Sequence, residues 1–337
     1  MQDIKQLFET SQRVLITSHI SPDPDAVCST LLLSRTLSEN FTGMQVRMVL
    51  EEKPGEDLGF LEGYEHLEFL PLLDAINDFQ PDLFINLDGN NFKRVSRTNG
   101  EEIKTKLAEL KTKLVIIDHH EEDDKDEANV FINNKRPATA EEVYNLCFDL
   151  LELQKPKNYA ETTLLGIISD TQRHRFDHPG YRETYRIVSQ LLDDGASIEK
   201  LEIRLEHFNH EEIEVIAELA TNITDSGEGY TYSFVSDKFS QTFYNSNKSQ
   251  QAIKDACDEF VNHYIRCYEG NRWGFVVYPE RIGGKITYGV TLRSVAGTKD
   301  VSSVARHLGG GGHKPAAGAK INADSIESAL VAVKAVV

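Results

Sequence analysis

The stretch from Leu114 to His120, LVIIDHH, decides how this chain is read. Four aliphatic residues in a row, three of them β-branched, predict a strand buried on both faces, as in a parallel sheet covered by helices on each side. The run ends in an acid and two adjacent imidazoles. Charged residues at the carboxyl end of such a strand lie where open α/β sheets place their ligand sites. Two imidazoles buried there need partners for both rings.

Two more apolar runs end in the same residue types. Val14 to His19 leads into Asp23 and Asp25 through the turn SPDPDA, and Leu83 to Leu87 leads into Asp88. Apolar spacing predicts helices over 3–12, 27–37, 101–111, 139–153, 159–168, 181–192 and 198–208, with no Gly or Pro in 27–37. Strands are expected over 13–19, 45–50, 82–87 and 114–117, with a short one at Phe131 and Ile132, while 58–79 is less regular. Strands and helices alternating in this way predict an α/β fold, a mostly parallel sheet with helices on both faces. The pattern stops near residue 190. A polar segment at 209–212 reads as a hinge, and SGEG at 226–229 opens a region with strands at 230–235, 274–277 and 286–292 and a helix at 252–264. The expected division is a first domain over 1–190, a helical linker over 191–225 and a smaller α/β domain over 226–337, set across a cleft.

Bulk properties narrow the function. At 337 residues two domains are expected, each able to bury its own core. A net charge of -18 argues against a protein that grips long duplex nucleic acid, since such proteins are basic. A small anionic substrate is compatible with it if metals and a few local cations offset the acidity. Cys28, Cys147, Cys257 and Cys267 are scattered without a CxxC pair, which fits a reducing compartment rather than a disulfide framework. No signal-like or membrane-spanning run is present, so no membrane partner and a cytoplasmic location are expected.

His19, Asp23 and Asp25 can share one crevice if a turn follows the strand. An imidazole beside carboxylates suits a manganese- or magnesium-type cation better than zinc, because the set has no thiolate. Taken alone, the same residues also fit a Pro-Asp turn in which Asp25 caps the next helix. Asp88 and Asp170, each at the end of an apolar run, are open to the same two readings. The acidic run at 121–127 reads as a solvated loop.

The set in order, HISPDPD, INLDG, IIDHH and GIISDT, resembles the DHH phosphoesterase family over roughly the first 175 residues. The resemblance implies two divalent cations, usually manganese, with magnesium or cobalt as alternatives. It implies that His19, Asp23 and Asp88 hold one, that Asp25, Asp88, His119 and Asp170 hold the other, and that Asp88 bridges them. A shared anion is what two cations about 3.5–4 Å apart require, and such a pair activates a bridging water for attack on phosphorus. The resemblance also implies that His120 faces the substrate phosphate and that Asp118 orients an imidazole. Asp88, His119, His120 and Asp118 are thus the expected catalytic set. Three positions depart from the family pattern: Pro24 and Cys28 stand where glycine is common, and so does Gln172.

In the second region GGGGHKPAAG, residues 309–318, reads as a turn whose glycines let a ligand approach the backbone, with linker as the blander alternative. The charge changes sign around it, with Arg293, Lys299, Arg306, Lys314 and Lys320 against Asp300. Together with LRS at 292–294 and DVSSVA at 300–305 it resembles the DHH-associated domain of subtype one, which implies nucleotide binding by Arg293, Gly310, Gly311, Gly312 and His313. Arg293 could equally be a strand-end surface residue. Arg173, His174 and Arg175 read either as cations at the cleft or as a solvated basic turn.

The two-domain arrangement resembles the branch of the family that holds bacterial nano-RNases and adenosine-bisphosphate (pAp) phosphatases. The expected activity is metal-dependent hydrolysis of short oligoribonucleotides, of pAp, or of both. Alternatives are a phosphodiesterase for cyclic dinucleotides or their linear products, an exopolyphosphatase or pyrophosphatase, and a non-catalytic nucleotide binder. The expected partner is short RNA or a small nucleotide, and a homodimer is compatible with the sequence.

Overall fold

The computed structural model describes residues 2–55, 57–120, 125–175, 178–205, 208–282, 285–295 and 297–337, without the side chains of Ile282 and His313. Part of the expected acidic loop, 121–124, lies outside the described residues.

The chain divides into two compact units, Met1–Glu206 and His207–Val337. In the first, strands β1 (Arg13–Thr17), β2 (Gln45–Leu50), β3 (Leu67–Phe69), β4 (Leu83–Leu87), β5 (Lys113–Ile117) and β6 (Val130–Ile132) form one sheet in the order β3-β2-β1-β4-β5-β6. All its pairings are parallel. Alternate residues of β1, β2 and β4 enter two different cores, Ile16 and Ile85 into one, Leu15 and Phe84 into the other. This explains the unbroken apolar runs: both faces are buried under helices, and each buried Ile or Leu contributes roughly 1.5–3 kcal/mol.

The chain leaves β1 toward β2 and β3, then crosses back to β4, β5 and β6 on the other side. The crevice of such a sheet lies at the carboxyl ends of the strands where the order reverses. Here those strands are β1, β4 and β5, the three that end in candidate site residues.

The helix after β1, Pro24–Asn40, begins earlier than the apolar pattern suggests. Asp23 is its N-cap and accepts from the Ala26 amide, while Pro24 fills the first helical turn, where its missing N–H costs nothing. The departure from glycine at Pro24 therefore fits this helix start, and the cap is Asp23 rather than Asp25. The helix expected over 139–153 is α-helical for Thr139–Tyr144 and continues as a π-helix over Asn145–Leu150.

The residues expected as a linker are shared between the units. Leu201, from helix Ile198–Leu205, sits in the first unit's core, and Val215 and Leu219, from helix His210–Thr221, sit in the second's. The expected hinge at 209–212 is instead the start of that second helix. Asn209 and Glu212 close a reciprocal capping box there, so its polar residues serve as a helix start.

The second unit is a mixed sheet of β7 (Thr224–Asp225), β8 (Thr231–Phe234), β9 (Trp273–Ile282), β10 (Lys285–Ser294), β11 (Gly311–His313) and β12 (Ala316–Ile321), in the order β11-β12-β10-β9-β8-β7. Helices Gln250–His263 and Ile326–Lys334 serve its two different cores. The glycine run, expected as a turn, is largely an edge hairpin. Gly311 pairs with Gly318 and Gly312 with Ala317.

Candidate active site

Strand ends β1, β4 and β5 place His19, Asp88 and His119 side by side, with Asp88 in the middle. Asp88 is 1 % exposed and stands at φ 56°, in the left-handed region. Its amide donates to the Ile117 carbonyl at 3.0 Å, which ties the two strand ends together. Such a conformation costs a non-glycine residue about 1–2 kcal/mol and survives where the surroundings over-determine it.

His19 Nε2 lies 3.2 Å from Asp88 Oδ2 and 3.9 Å from Asp23 Oδ1. Nδ1 of the same ring is 2.8 Å from the Ile20 carbonyl, so it carries the proton in the neutral ring and leaves Nε2 with a lone pair aimed at the carboxylates. On the other side His119 Nε2 lies 3.4 Å from Asp88 Oδ1 and 3.0 Å from Asp170 Oδ2. Potential ligand atoms of His19, Asp23 and Asp88 fall within 4.8 Å of one another, as do those of Asp25, His119 and Asp170, and those of Asp88, His119 and His120. All six ligands expected from the sequence are brought together, around a central Asp88.

Asp25 is fully buried, and backbone donors make that tolerable. The Thr139 and Ala140 amides donate to its two oxygens at 2.6 and 2.9 Å. Thr139 Oγ1 also donates to Asp88 Oδ1 at 2.9 Å, so one residue restrains carboxylates of both groups. The loop before Thr139 is fixed by the buried Glu142, which accepts from the Asn134 amide at 2.5 Å, and by Arg136 on Glu141 at 2.8 Å. Thr139 was not singled out by sequence. The only local signal is a Pro-Ala-Thr helix start, and its partner Asp25 lies 114 residues away. Gly166 was missed likewise. A Cβ there would stand 2.7 Å from Asp25 Oδ1 and 2.6 Å from the Ala140 Cβ, so glycine is what lets helix Tyr159–Asp170 pass the carboxylate.

The electrostatics follow from burying several charges together. Burial alone would depress the His19 imidazole, but Asp88 and Asp23 raise it to about 9. Burial acts the same way on His119, and Asp88 and Asp170 raise it to about 10. Asp88 is held well below the usual carboxylate range by these two imidazoles, against the burial that would raise it. Burial, with the charge of Asp88 added, pushes Asp25 well above that range. Burial likewise lifts Asp170 to about 7. Protons on imidazoles thus balance the carboxylates, a role that cations perform better.

The residues fit a pair of divalent cations on one further observation. His119 Nε2 is buried with no hydrogen-bond partner among the described residues, a cost that a ligand bond would remove. Oxygen and imidazole donors without sulfur match hard or borderline cations.

Asp118, fully buried, accepts from the amides of His119 and His120 at 2.9 and 3.3 Å and from His120 Nδ1 at 2.8 Å. It fixes the His120 ring, whose centroid is 4.3 Å from that of His119. Arg173 pairs with Glu202. Gln172, Arg173 and His174 have φ of 44°, 59° and 57°. The departure from glycine at Gln172 therefore falls in a left-handed turn that glycine would enter without strain.

In the second unit Arg293 lines a pocket of about 660 Å³ together with residues 309–312 and 316–320. Arg293 Nε donates to Asn262 Oδ1 at 3.0 Å, and one terminal nitrogen donates to Thr291 Oγ1 and the Leu292 carbonyl. Burial lowers its guanidinium pKa. Gly310 and Gly312 are required by the facing strand, since a Cβ on either would meet β12 backbone at 2.1–2.7 Å. Gly311 has open space before it. The expected contact through the His313 side chain lies outside the described residues.

Comparison with known proteins gives concordant matches. The N-terminal domain of the DHH family matches residues 13–167, and the DHHA1 domain matches residues 227–337. The bifunctional oligoribonuclease and PAP phosphatase NrnA of Thermus thermophilus is 26% identical over 324 residues, covering 94% of this chain and 86% of that protein. The protein of the same name from Mycoplasma pneumoniae is 28% identical over 318 residues, covering 93% and 88%. The crystal structure of an exopolyphosphatase-related protein from Bacteroides fragilis superposes with a TM-score of 0.80 at 20% identity, covering 99% of this chain and 95% of that one, which speaks for the fold. The chain carries a DHH N-terminal domain followed by a DHHA1 domain.

Proposed function

We propose that this protein is a metal-dependent phosphoesterase that hydrolyses short oligoribonucleotides and adenosine bisphosphate. The observation that carries the reading is the grouping of His19, Asp23, Asp25, His119 and Asp170 around Asp88. The two NrnA relatives, named for those two substrates, support the choice of substrate class. Two divalent cations, with manganese the first choice, would be held by His19, Asp23 and Asp88 and by Asp25, Asp88, His119 and Asp170, and would supply Lewis acidity and an activated water.

The protein's own groups do the rest. Thr139 and the Ala140 amide hold Asp25 and Asp88 in place, so the ligand set does not reorganise during the reaction. Asp118 locks His120 with Nδ1 inward and leaves Nε2 to face a phosphate; only the doubly protonated ring would donate to it and stabilise charge that grows there. In the second unit the pocket beside Gly311 and Arg293 would take an anionic or nucleoside portion of the substrate.

The test is direct. Purified protein with manganese should release mononucleotide from a diribonucleotide and phosphate from pAp, and chelation should stop both. Asp88→Ala should abolish turnover and cation binding together. Release from neither substrate with manganese, magnesium or cobalt would refute the reading, and cyclic dinucleotide and polyphosphate in the same panel would show which alternative replaces it.

A further inference from the structure

The segment that follows Asp170 departs in character from the rest of this acidic chain. Residues 172–186, QRHRFDHPGYRETYR, hold four arginines against two carboxylates, with two histidines and two tyrosines interleaved. Cations interleaved with rings are the composition of surfaces that bind single-stranded nucleotides, where phosphates meet charge and bases stack.

The fold gathers these rings into one cluster. His174 lies 5.0 Å from Tyr185 and 5.5 Å from Tyr181, centroid to centroid, and Tyr181 lies 5.9 Å from Tyr185 and 5.7 Å from His178. Tyr181 and Tyr185 are one turn apart on helix Tyr181–Asp193, whose inner face is filled by Thr184, Ile187, Val188 and Leu191. Tyr185 is left 53 % exposed. The left-handed residues 172–174 turn the chain back on itself, and the His174 amide donates to Thr171 Oγ1 at 3.1 Å, next to Asp170. At the other end of the cluster a Cβ on Gly180 would stand 3.7 Å from Pro137, two residues before the Thr139 that holds Asp88. The ring cluster therefore borders the carboxylate and imidazole site within the same unit.

We propose that Tyr185, backed by His174 and Tyr181, is a stacking platform for a nucleobase whose phosphate lies at the Asp88 site. The proposal rests on the function proposed above and specifies how that substrate is held. A bare ring accepts any planar base, because every base has a π face and the platform presents no fixed donor pattern. Tyr185 is a binding residue in this scheme and takes no part in proton transfer.

The test uses a diribonucleotide analogue that carries 2-aminopurine at either position in turn and has a bridging oxygen replaced by methylene, so that it binds without cleavage. Manganese-loaded wild-type protein should quench the 2-aminopurine fluorescence. Tyr185→Ala should abolish the quenching, and Tyr185→Phe, which keeps the ring, should retain it. For natural diribonucleotides Tyr185→Ala should raise KM about tenfold, the lower end of what stacking of one base gives. The loss should fall on KM rather than kcat and should vanish for a substrate with non-planar dihydrouracil bases. Quenching and KM in Tyr185→Ala equal to wild type would overturn the platform. Wild-type cleavage without quenching would do the same while leaving the phosphoesterase reading intact, and quenching without cleavage would sustain the platform and refute that reading.

Discussion

At the carboxyl edge of the first sheet, Asp25 and Asp88 are buried with Asp170 close by, and the His119 Nε2 atom has no hydrogen-bond partner among the described residues. At the glycine hairpin of the second unit, the guanidinium of Arg293 is already bonded to Asn262, Thr291 and the Leu292 carbonyl, and Lys320 sits 2.8 Å from Glu280. The first region balances its carboxylates with protons on imidazoles, which incoming cations would replace. The second pairs Arg293 and Lys320 with neighbouring groups and offers shape, an open backbone face at Gly311. Removing a group should therefore cost function in the first region, whereas the second should tolerate change wherever space is open.

The largest expected contrast is between two glycines. Gly166→Ala drives a methyl group against Asp25 and Ala140, so it should destabilise the protein by roughly 1–3 kcal/mol and displace a cation ligand. Activity should fall to background. Gly311→Ala meets nothing within 4 Å among the described residues and should leave the melting temperature unchanged. Equal melting temperatures for the two variants would break the comparison.

Next is Thr139→Val, which keeps the shape and both backbone donors to Asp25 but removes the hydroxyl on Asp88. Losing an outer hydrogen bond of this kind typically costs about 10–100-fold in metal affinity or activity. Titration with manganese and steady-state rates should show the loss, and unchanged values would assign Thr139 a purely structural role.

The smallest effect concerns pH. Without metal, His19 and His119 titrate near 9 and 10, above the ordinary 6.5 of an unfolded imidazole. Their contribution to stability is complete below pH 6.5 and is lost as pH rises through 9 to 10. Asp170, raised to about 7 from 3.8, acts in the same direction at lower pH. Melting of the chelated protein should thus show stability falling from pH 6.5 to 10 by on the order of 1–2 kcal/mol, less than the separate shifts imply because the groups share one site. Saturating manganese should flatten the slope by replacing the protons. A chelated protein equally stable at both ends of that range would contradict the charge balance described for the site.

Much of the first unit was legible because its signals are local. Runs such as LVII are apolar on both faces, and each run's end carries its own ligand, so strands and ligands could be read together. The start of helix Pro24–Asn40 was not, because Asp23 both caps that helix and lies beside His19, and the apolar pattern begins only at Val27. Residues 209–212 read as a hinge since a polar capping box and a polar linker have the same composition. The short β11 and β12 were hidden by glycines and alanines, which carry no period.

By itself the sequence determined the parallel sheet, the set of carboxylates and imidazoles and the glycine run, because each is a matter of residue type in a continuous stretch. Only the tertiary structure decided that Thr139 and Gly166 serve Asp25, that two of the hairpin glycines answer to the neighbouring strand, and that Tyr185 stands exposed beside His174. Those are contacts between distant segments, and a contact exists only once the strands have been set in order and the helices packed against them.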